Sequence, residues 1–266
     1  MKLKYFIGIP VFIGFVFLAT AHEYWMAPSK YQVKKAETFT FNCYVGEDFT
    51  PQIWAKRKER TGKVTRFHLN EVLDITPAFV EKDSVNIIMA LNQPGEHLIT
   101  MQSKPSYIEM EGAAFNAYLK EDGMTNVFDY RIANKQEGKR SREFYQRCAK
   151  TLIEVDGKKD ETYKMNCGMV LEIIPQSNPY EIKNELPVYF EFKGKALANY
   201  QVRTWCKKNG KLVNKSFYTT NEKGVAVLPV KESGEWMISL VKMEILKNNE
   251  KADYESYWGS YTFYKK

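Results

Sequence analysis

The chain has 266 residues, a formal net charge of +7 and four cysteines. Its length admits one large or two modest domains, each able to bury a core. Its basic residues are scattered, as in KRKER (56–60) and KKNGK (207–211), which fits a solvated surface and argues against a track for nucleic acid.

Residues 1–21 have the three-part build of a secretory signal peptide: Lys2 and Lys4, an apolar run from Tyr5 to Leu18, then Ala19-Thr20-Ala21. Cleavage is expected between Ala21 and His22, which makes the mature protein periplasmic or otherwise extracytoplasmic. The apolar run is shorter than the roughly 20 residues of a spanning helix, and no later segment comes close. An uncleaved N-terminal anchor is the competing reading.

The stretch TFTFNCYV (38–45) alternates, with Phe39, Phe41, Cys43 and Val45 on one face, and predicts a half-buried strand. VNIIMAL (85–91) and EHLITMQ (96–102) flank NQPG, so residues 85–102 read as a hairpin. Spacing by three and four then predicts two helices. Phe115, Tyr118 and Leu119 mark the first, in AAFNAYLKEDG. Phe144, Cys148 and Leu152 mark the second, in SREFYQRCAKTLI, with Ser141 as its N-cap. The basic residues Arg140, Arg142, Arg147 and Lys150 read as the solvated face of that second helix, with an anion-binding patch as the alternative.

GMVLEIIP (168–175) returns to strand, and QSNPY (176–180) is the best candidate for a domain boundary. After it, PVYFEF, YQVRTWC, SFYTT, VAVLPV, EWMISLVKMEI and SYTFY are short strands at regular spacing, and Asn221–Gly224 supplies turn chemistry between two of them. The predicted fold is mainly β, with two β-sandwich domains of Ig-like or transthyretin-like type. The first covers residues 22–175 and carries a two-helix insertion; the second covers residues 176–266.

Cys43, Cys148, Cys167 and Cys206 lie in a compartment that permits disulfides, but none has CxxC spacing or a neighbouring histidine cluster, so a cysteine-built zinc site is not expected. Buried free thiols and a local Cys148–Cys167 bridge are the two readings, and the pairing is not legible. There is no nucleophile elbow, P-loop or Rossmann glycine pattern, so no enzyme is expected.

Six stretches in order are similar to one known family: AHEYWMAP (21–28), FNAYLKEDGM (115–124), REFYQRCAKTL (142–152), LEIIPQSNPY (171–180), TTNEKGVAVLPVKESGEWMISLVKM (219–243) and ADYESYWGSYTF (252–263). Together they resemble the NikM-like periplasmic protein family, a domain of unknown function classed with the periplasmic component of nickel and cobalt uptake systems. The resemblance implies a periplasmic two-part β protein with a metal-linked role, a membrane transporter or receptor component as partner, and no enzymatic activity. Its most suggestive shared feature is a histidine directly after the signal peptide. Many relatives carry a histidine in the penultimate strand where this chain has Lys242, and a Trp where it has Tyr254.

A histidine at position one of a mature chain offers its α-amine and its ring nitrogen to the same ion. With reference pKa values near 8 and 6.5, both are available at low proton cost near neutral pH. Such donors suit Ni, Co, Cu or Zn. The expected function is therefore an extracytoplasmic binding protein that captures or delivers a divalent transition metal, with His22 as chelating ligand. Two donors seldom hold an ion alone, which makes His97 and His68 weak further candidates, and the family comparison adds Glu255. Other readings give His22 a role in processing or strand capping, and make the strand histidines merely exposed or hydrogen-bonded. The alternative function is a non-catalytic adhesion or glycan- or protein-binding module without metal, using exposed aromatics such as Trp258. A copper monooxygenase with a second histidine as partner to His22 is the remaining reading.

Overall fold

The computed structural model describes residues 23–54, 57–80 and 86–266, so the expected signal peptide and His22 lie outside it. Thr38–Gly46 forms the strand its alternation predicts, with Phe39, Phe41 and Cys43 buried. It pairs antiparallel with the first strand, Glu23–Pro28, setting Met26 opposite Cys43. Gln52–Ile53 and Ile87–Ala90 also pair with it, completing a four-stranded sheet.

A ten-stranded sheet forms the middle of the molecule. Its strands run in the order Lys211–Thr219, Gln201–Lys208, Gly234–Ile245, Tyr254–Lys265, Ser141–Val155, Gly95–Ser103, Thr61–His68 and Glu71–Asp74, with Gln32–Val33 and Ser106–Met110 also paired to Ser141–Val155. In a third sheet Leu171–Pro175, Lys195–Ala196 and Val225–Pro229 all pair with Glu185–Phe192.

Side chains of a strand alternate between faces, and the central sheet uses both. Along Ser141–Val155, Cys148 and Leu152 join the core of the third sheet, while Ala149, Ile153 and Val155 join the core of the first. The helices Gly112–Glu121 and Thr125–Ala133 cover the rest of the first-sheet side, packing Phe115, Leu119 and Val127 with Val241, Met243 and Trp258. The fold is thus mainly β and layered, as expected.

Several details differ from expectation. Ser141–Val155 is a strand and not the second helix, pairing in parallel with Tyr254–Lys265 and antiparallel with Gly95–Ser103. Phe144, Cys148 and Leu152 are four apart, an even interval that keeps them on one face of a strand as well as a helix, so that spacing cannot separate the two. Ser141 caps nothing there; its hydroxyl accepts from Arg131 Nη1 at 2.5 Å. The second helix is instead Thr125–Ala133.

The hairpin over 85–102 does not form either. Ile87–Ala90 pairs with Thr38–Phe41 of the first sheet, whereas Gly95–Ser103 enters the central sheet. The turn at Gly95, with φ +132°, therefore carries the chain between layers.

All six strands expected after residue 184 are present. At the Asn221–Gly224 turn the Gly224 amide donates to Asn221 O at 2.9 Å with φ +74°, and the chain passes from the edge of the central sheet into the third. The loop expected as a boundary follows Leu171–Pro175. The central sheet runs uninterrupted between strands from either side of it, with Phe144 opposite Glu255. All four cysteines are free: Cys43, Cys148 and Cys206 are buried and Cys167 is partly exposed, so the local Cys148–Cys167 bridge is absent. Among the described residues no helix is long and apolar enough to cross a membrane.

Candidate functional site

The first described residue, Glu23, opens the first strand and is buried. Its carboxylate meets Arg203 Nη1 at 2.8 Å, and Asp122 Oδ1 takes the same nitrogen at 2.5 Å. Arg203 stands on Gln201–Lys208, opposite Ser239, and Asp122 closes the helix Gly112–Glu121. A carboxylate at that end of a helix meets the negative pole of the backbone dipoles, so Asp122 depends on the guanidinium for compensation. The guanidinium also lies 5.5 Å from the centroid of the Trp205 ring. Its Nη2 is buried and has no hydrogen-bond partner.

Glu47, Asp48, Glu121, Lys215 and Phe217 help to line the resulting recess of about 100 Å³, in the seam between the first sheet and the helices. Lys215 Nζ pairs with Asp48 at 2.5 Å. The lining holds five carboxylates against two cations, in a chain whose formal net charge is +7. Burial pushes the Glu23 carboxyl above its ordinary range and Asp122 up to about 7, with Arg203 pulling both the other way. The seam beside the start of the first strand is therefore richer in carboxyl groups than in cations.

His68 and His97 come together, but not as ligands. Both are buried, and their rings stack with centroids 4.2 Å apart and planes 7° from parallel. Imidazole lone pairs lie in the ring plane, so two parallel rings cannot aim at one ion. His68 Nδ1 lies 2.8 Å from Glu96 O and His97 Nε2 lies 2.8 Å from Gln93 O, while His97 Nδ1 has no partner. Burial drives His97 down to about 4, and the neighbouring His68 and Arg66 add to the effect. Three strands of the central sheet separate Gly95–Ser103 from Gln201–Lys208, a lateral distance of roughly 20 Å at sheet spacing, so the pair is remote from Glu23.

Glu255 is remote from both groups. It accepts from Gln146 Nε2 at 3.2 Å and stands opposite Glu244. Lys242 faces the third sheet, away from Arg203: its ammonium meets Tyr200 OH at 2.5 Å and lies over the Tyr200 and Phe192 rings. Trp258 is buried and stacks on Tyr118 at 6.1 Å, so the final strand offers no exposed aromatic platform at that position. Arg147 and Lys150, expected on a solvated helix face, are buried in the central strand. Among the described residues no group of three or more His, Cys, Asp or Glu side chains is arranged to hold a metal ion.

Sequence reasoning missed Arg203 and Asp122. The available signal was an arginine between Val202 and Trp205 in a strand of otherwise core character, because a charge at such a position has to be compensated. Its partners come from distant parts of the chain, and only the fold reveals them.

Residues 19–244 match a family described as a domain of unknown function, DUF4198. No curated protein matches in sequence. Among solved structures, the D0-D1 domain of Intimin is similar at 10% identity over 91% of this chain and 97% of that one, with a TM-score of 0.22. The three N-terminal domains of the bacteriophage RB49 Highly Immunogenic Outer Capsid protein match at 12% identity over 91% and 59%, with a TM-score of 0.21. Chicken CNTN1 FN1-FN3 domains match at 10% identity over 91% and 67%, with a TM-score of 0.22. Scores at this level establish no shared topology.

Proposed function

The chain belongs to the DUF4198 family, and from that premise we propose that it is an extracytoplasmic binding protein that captures or delivers a divalent transition metal of the Ni, Co or Cu class. On this reading the signal peptide is removed after Ala21, and the α-amine and imidazole of His22 chelate the ion. Those two nitrogens are the chelating pair, and the receiving partner or solvent supplies the remaining positions around the ion. The pocket that begins at Glu23 contributes its excess of carboxyl groups, which draw a cation to the terminus and offset its charge. A membrane transporter or receptor component, as in nickel and cobalt uptake, is the partner that would receive the ion. No turnover is involved.

The observation that supports this reading is the position of Glu23. The residue bonded to His22 is anchored inside a recess with five carboxylates and two cations.

The test is a calorimetric titration with Ni²⁺, Cu²⁺ and Co²⁺ of exported protein whose start at His22 is established by intact mass. A His22→Ala form, its start likewise established by intact mass, is titrated beside it. The expected result is binding by the first and at least about tenfold weaker binding by the second, which keeps the α-amine but loses the imidazole. Equal or negligible binding by both overturns the metal reading and leaves the non-catalytic adhesion or glycan-binding module.

A further inference from the structure

A larger recess, of about 560 Å³, lies over Thr61–His68 and Gly95–Ser103 on the third-sheet side of the central sheet, facing away from Glu23. That volume falls within the range of small-molecule sites, roughly 300–1,000 Å³. Phe67, Val72 and Met169 give it an apolar lining, and Val72 is 59% exposed to solvent. Thr65, Thr100, Gln102 and Gln146 add hydroxyl and amide groups.

One wall is built and held before any ligand arrives. It consists of residues 167–169, whose Cys167 and Met169 amides donate to Glu172 Oε1 at 3.0 and 2.7 Å. Glu172 is itself fully buried and paired with the fully buried Lys150. A segment fixed by a buried ion pair costs little further ordering when a ligand packs on it.

The charge lining the groove has one sign. Lys63 and Lys104, both exposed, are its charged residues, and no carboxylate lines it. This is the reverse of the Glu23 recess, where carboxylates dominate. An apolar lining with a cationic rim and neutral hydrogen-bonding groups selects a molecule with an apolar body and an anionic head.

We propose that this groove binds a small amphipathic carboxylate, a single-chain fatty acid, with its chain along Phe67, Val72 and Met169 and its head toward Lys63 and Lys104. A neutral chain forfeits the lysines, and a cationic one is repelled by them. Cys167 lies in the wall, and of the four cysteines it alone is not fully buried. Its thiol is pushed up to about 11 by burial and donates to Met165 O at 3.5 Å, so it alkylates slowly and reports on whatever covers it.

The test uses the full processed protein in EDTA, which separates it from the metal reading. Decanoate, decanol and decyltrimethylammonium are titrated below their micelle concentrations. Binding is followed by calorimetry and by the rate at which N-ethylmaleimide modifies Cys167, read by peptide mass. Decanoate is expected to bind saturably and to slow modification about tenfold or more, with decanol weaker and the cationic chain without effect. The double variant K63E/K104E, altered only at exposed positions, is expected to lose about tenfold in decanoate affinity with an unchanged unfolding midpoint. No saturable heat or protection with decanoate overturns the proposal. So does equal protection by all three chains, or decanoate binding that survives the charge reversal.

Discussion

Glu96 and His97 are consecutive on one strand, both fully buried, and their side chains leave on opposite faces of the central sheet. Glu96 Oε1 accepts from Asn178 Nδ2 at 2.6 Å, which ties the central sheet to the loop after Pro175. His97 stacks on His68 at 4.2 Å on the other side. Burial acts on the two in opposite directions, raising Glu96 to about 7 and lowering His97 to about 4.

The two shifts have opposite consequences for stability. His97 takes up its proton more readily when unfolded, so its contribution is present above about pH 6.5 and is lost as pH falls toward 4. Glu96 holds its proton more tightly when folded, so its contribution is present below about pH 4.5 and is lost as pH rises through 7. Between these limits the pair compensates. His97→Gln is expected to cost more at pH 7.5 than at pH 4.5, and Glu96→Gln more at pH 4.5 than at pH 7.5. The difference in each case is on the order of 2 kcal/mol. Urea unfolding of both variants beside the unaltered protein measures it, and costs independent of pH would refute the assignment.

Removing the guanidinium from the Glu23 recess should be severe and pH-dependent. Arg203→Met leaves two buried carboxylates without their cation, which costs roughly 3–5 kcal/mol for a buried pair. Asp122 already has its value raised to about 7, so below that pH protonation removes one of the orphaned charges. The penalty is expected to be clearly smaller at pH 6 than at pH 8. Adding Glu23→Gln and Asp122→Asn should recover most of it. A penalty equal at both pH values, or no recovery, would mean that Arg203 acts through its packing on Trp205.

Arg131 fastens the helical layer through hydrogen bonds to neutral groups. Its Nε donates to Asn116 Oδ1 at 2.8 Å, Nη1 to Ser141 Oγ and Tyr254 OH, and Nη2 to the Gln136 and Lys139 carbonyls at 2.7 and 2.9 Å. It is fully buried and lies over the Phe115 ring at 5.0 Å. Only a planar fork reaches that many acceptors at once, so Arg131→Lys is expected to rescue little of the loss seen in Arg131→Ala, about 3 kcal/mol or more. Chemical denaturation of the two variants decides it: a lysine protein as stable as the original would show that charge, not fork geometry, is what the site needs.

Much of this architecture is readable wherever polarity alternates cleanly. Thr38–Gly46 and Glu185–Phe192 announce themselves because buried apolar positions alternate with more exposed ones along each. The central strand does not, since it is buried on both faces while carrying Glu143, Arg147, Lys150 and Glu154. Their compensating groups are Tyr118 and Ser256 for Glu143, Glu172 for Lys150 and Lys159 for Glu154, all brought in by tertiary structure. Charges at such positions imitate a solvated helix face. The Glu23 recess was invisible for the same reason, its members being drawn from positions 23, 122 and 203.

The Lys150–Glu172 pair tests how far a buried ion pair organises the groove beside it. Both side chains are fully buried, so Lys150→Met alone should cost roughly 3–5 kcal/mol by stranding Glu172. In many proteins a well-packed apolar pair then restores what the single change lost. Here Glu172 also accepts from the amides of Cys167 and Met169, and no apolar residue replaces those bonds. The double variant Lys150→Met/Glu172→Leu is therefore expected to stay below the original in stability, and Cys167, released with its segment, should alkylate several-fold faster. Full recovery of stability with an unchanged Cys167 rate would show that the 167–169 wall holds its place without Glu172.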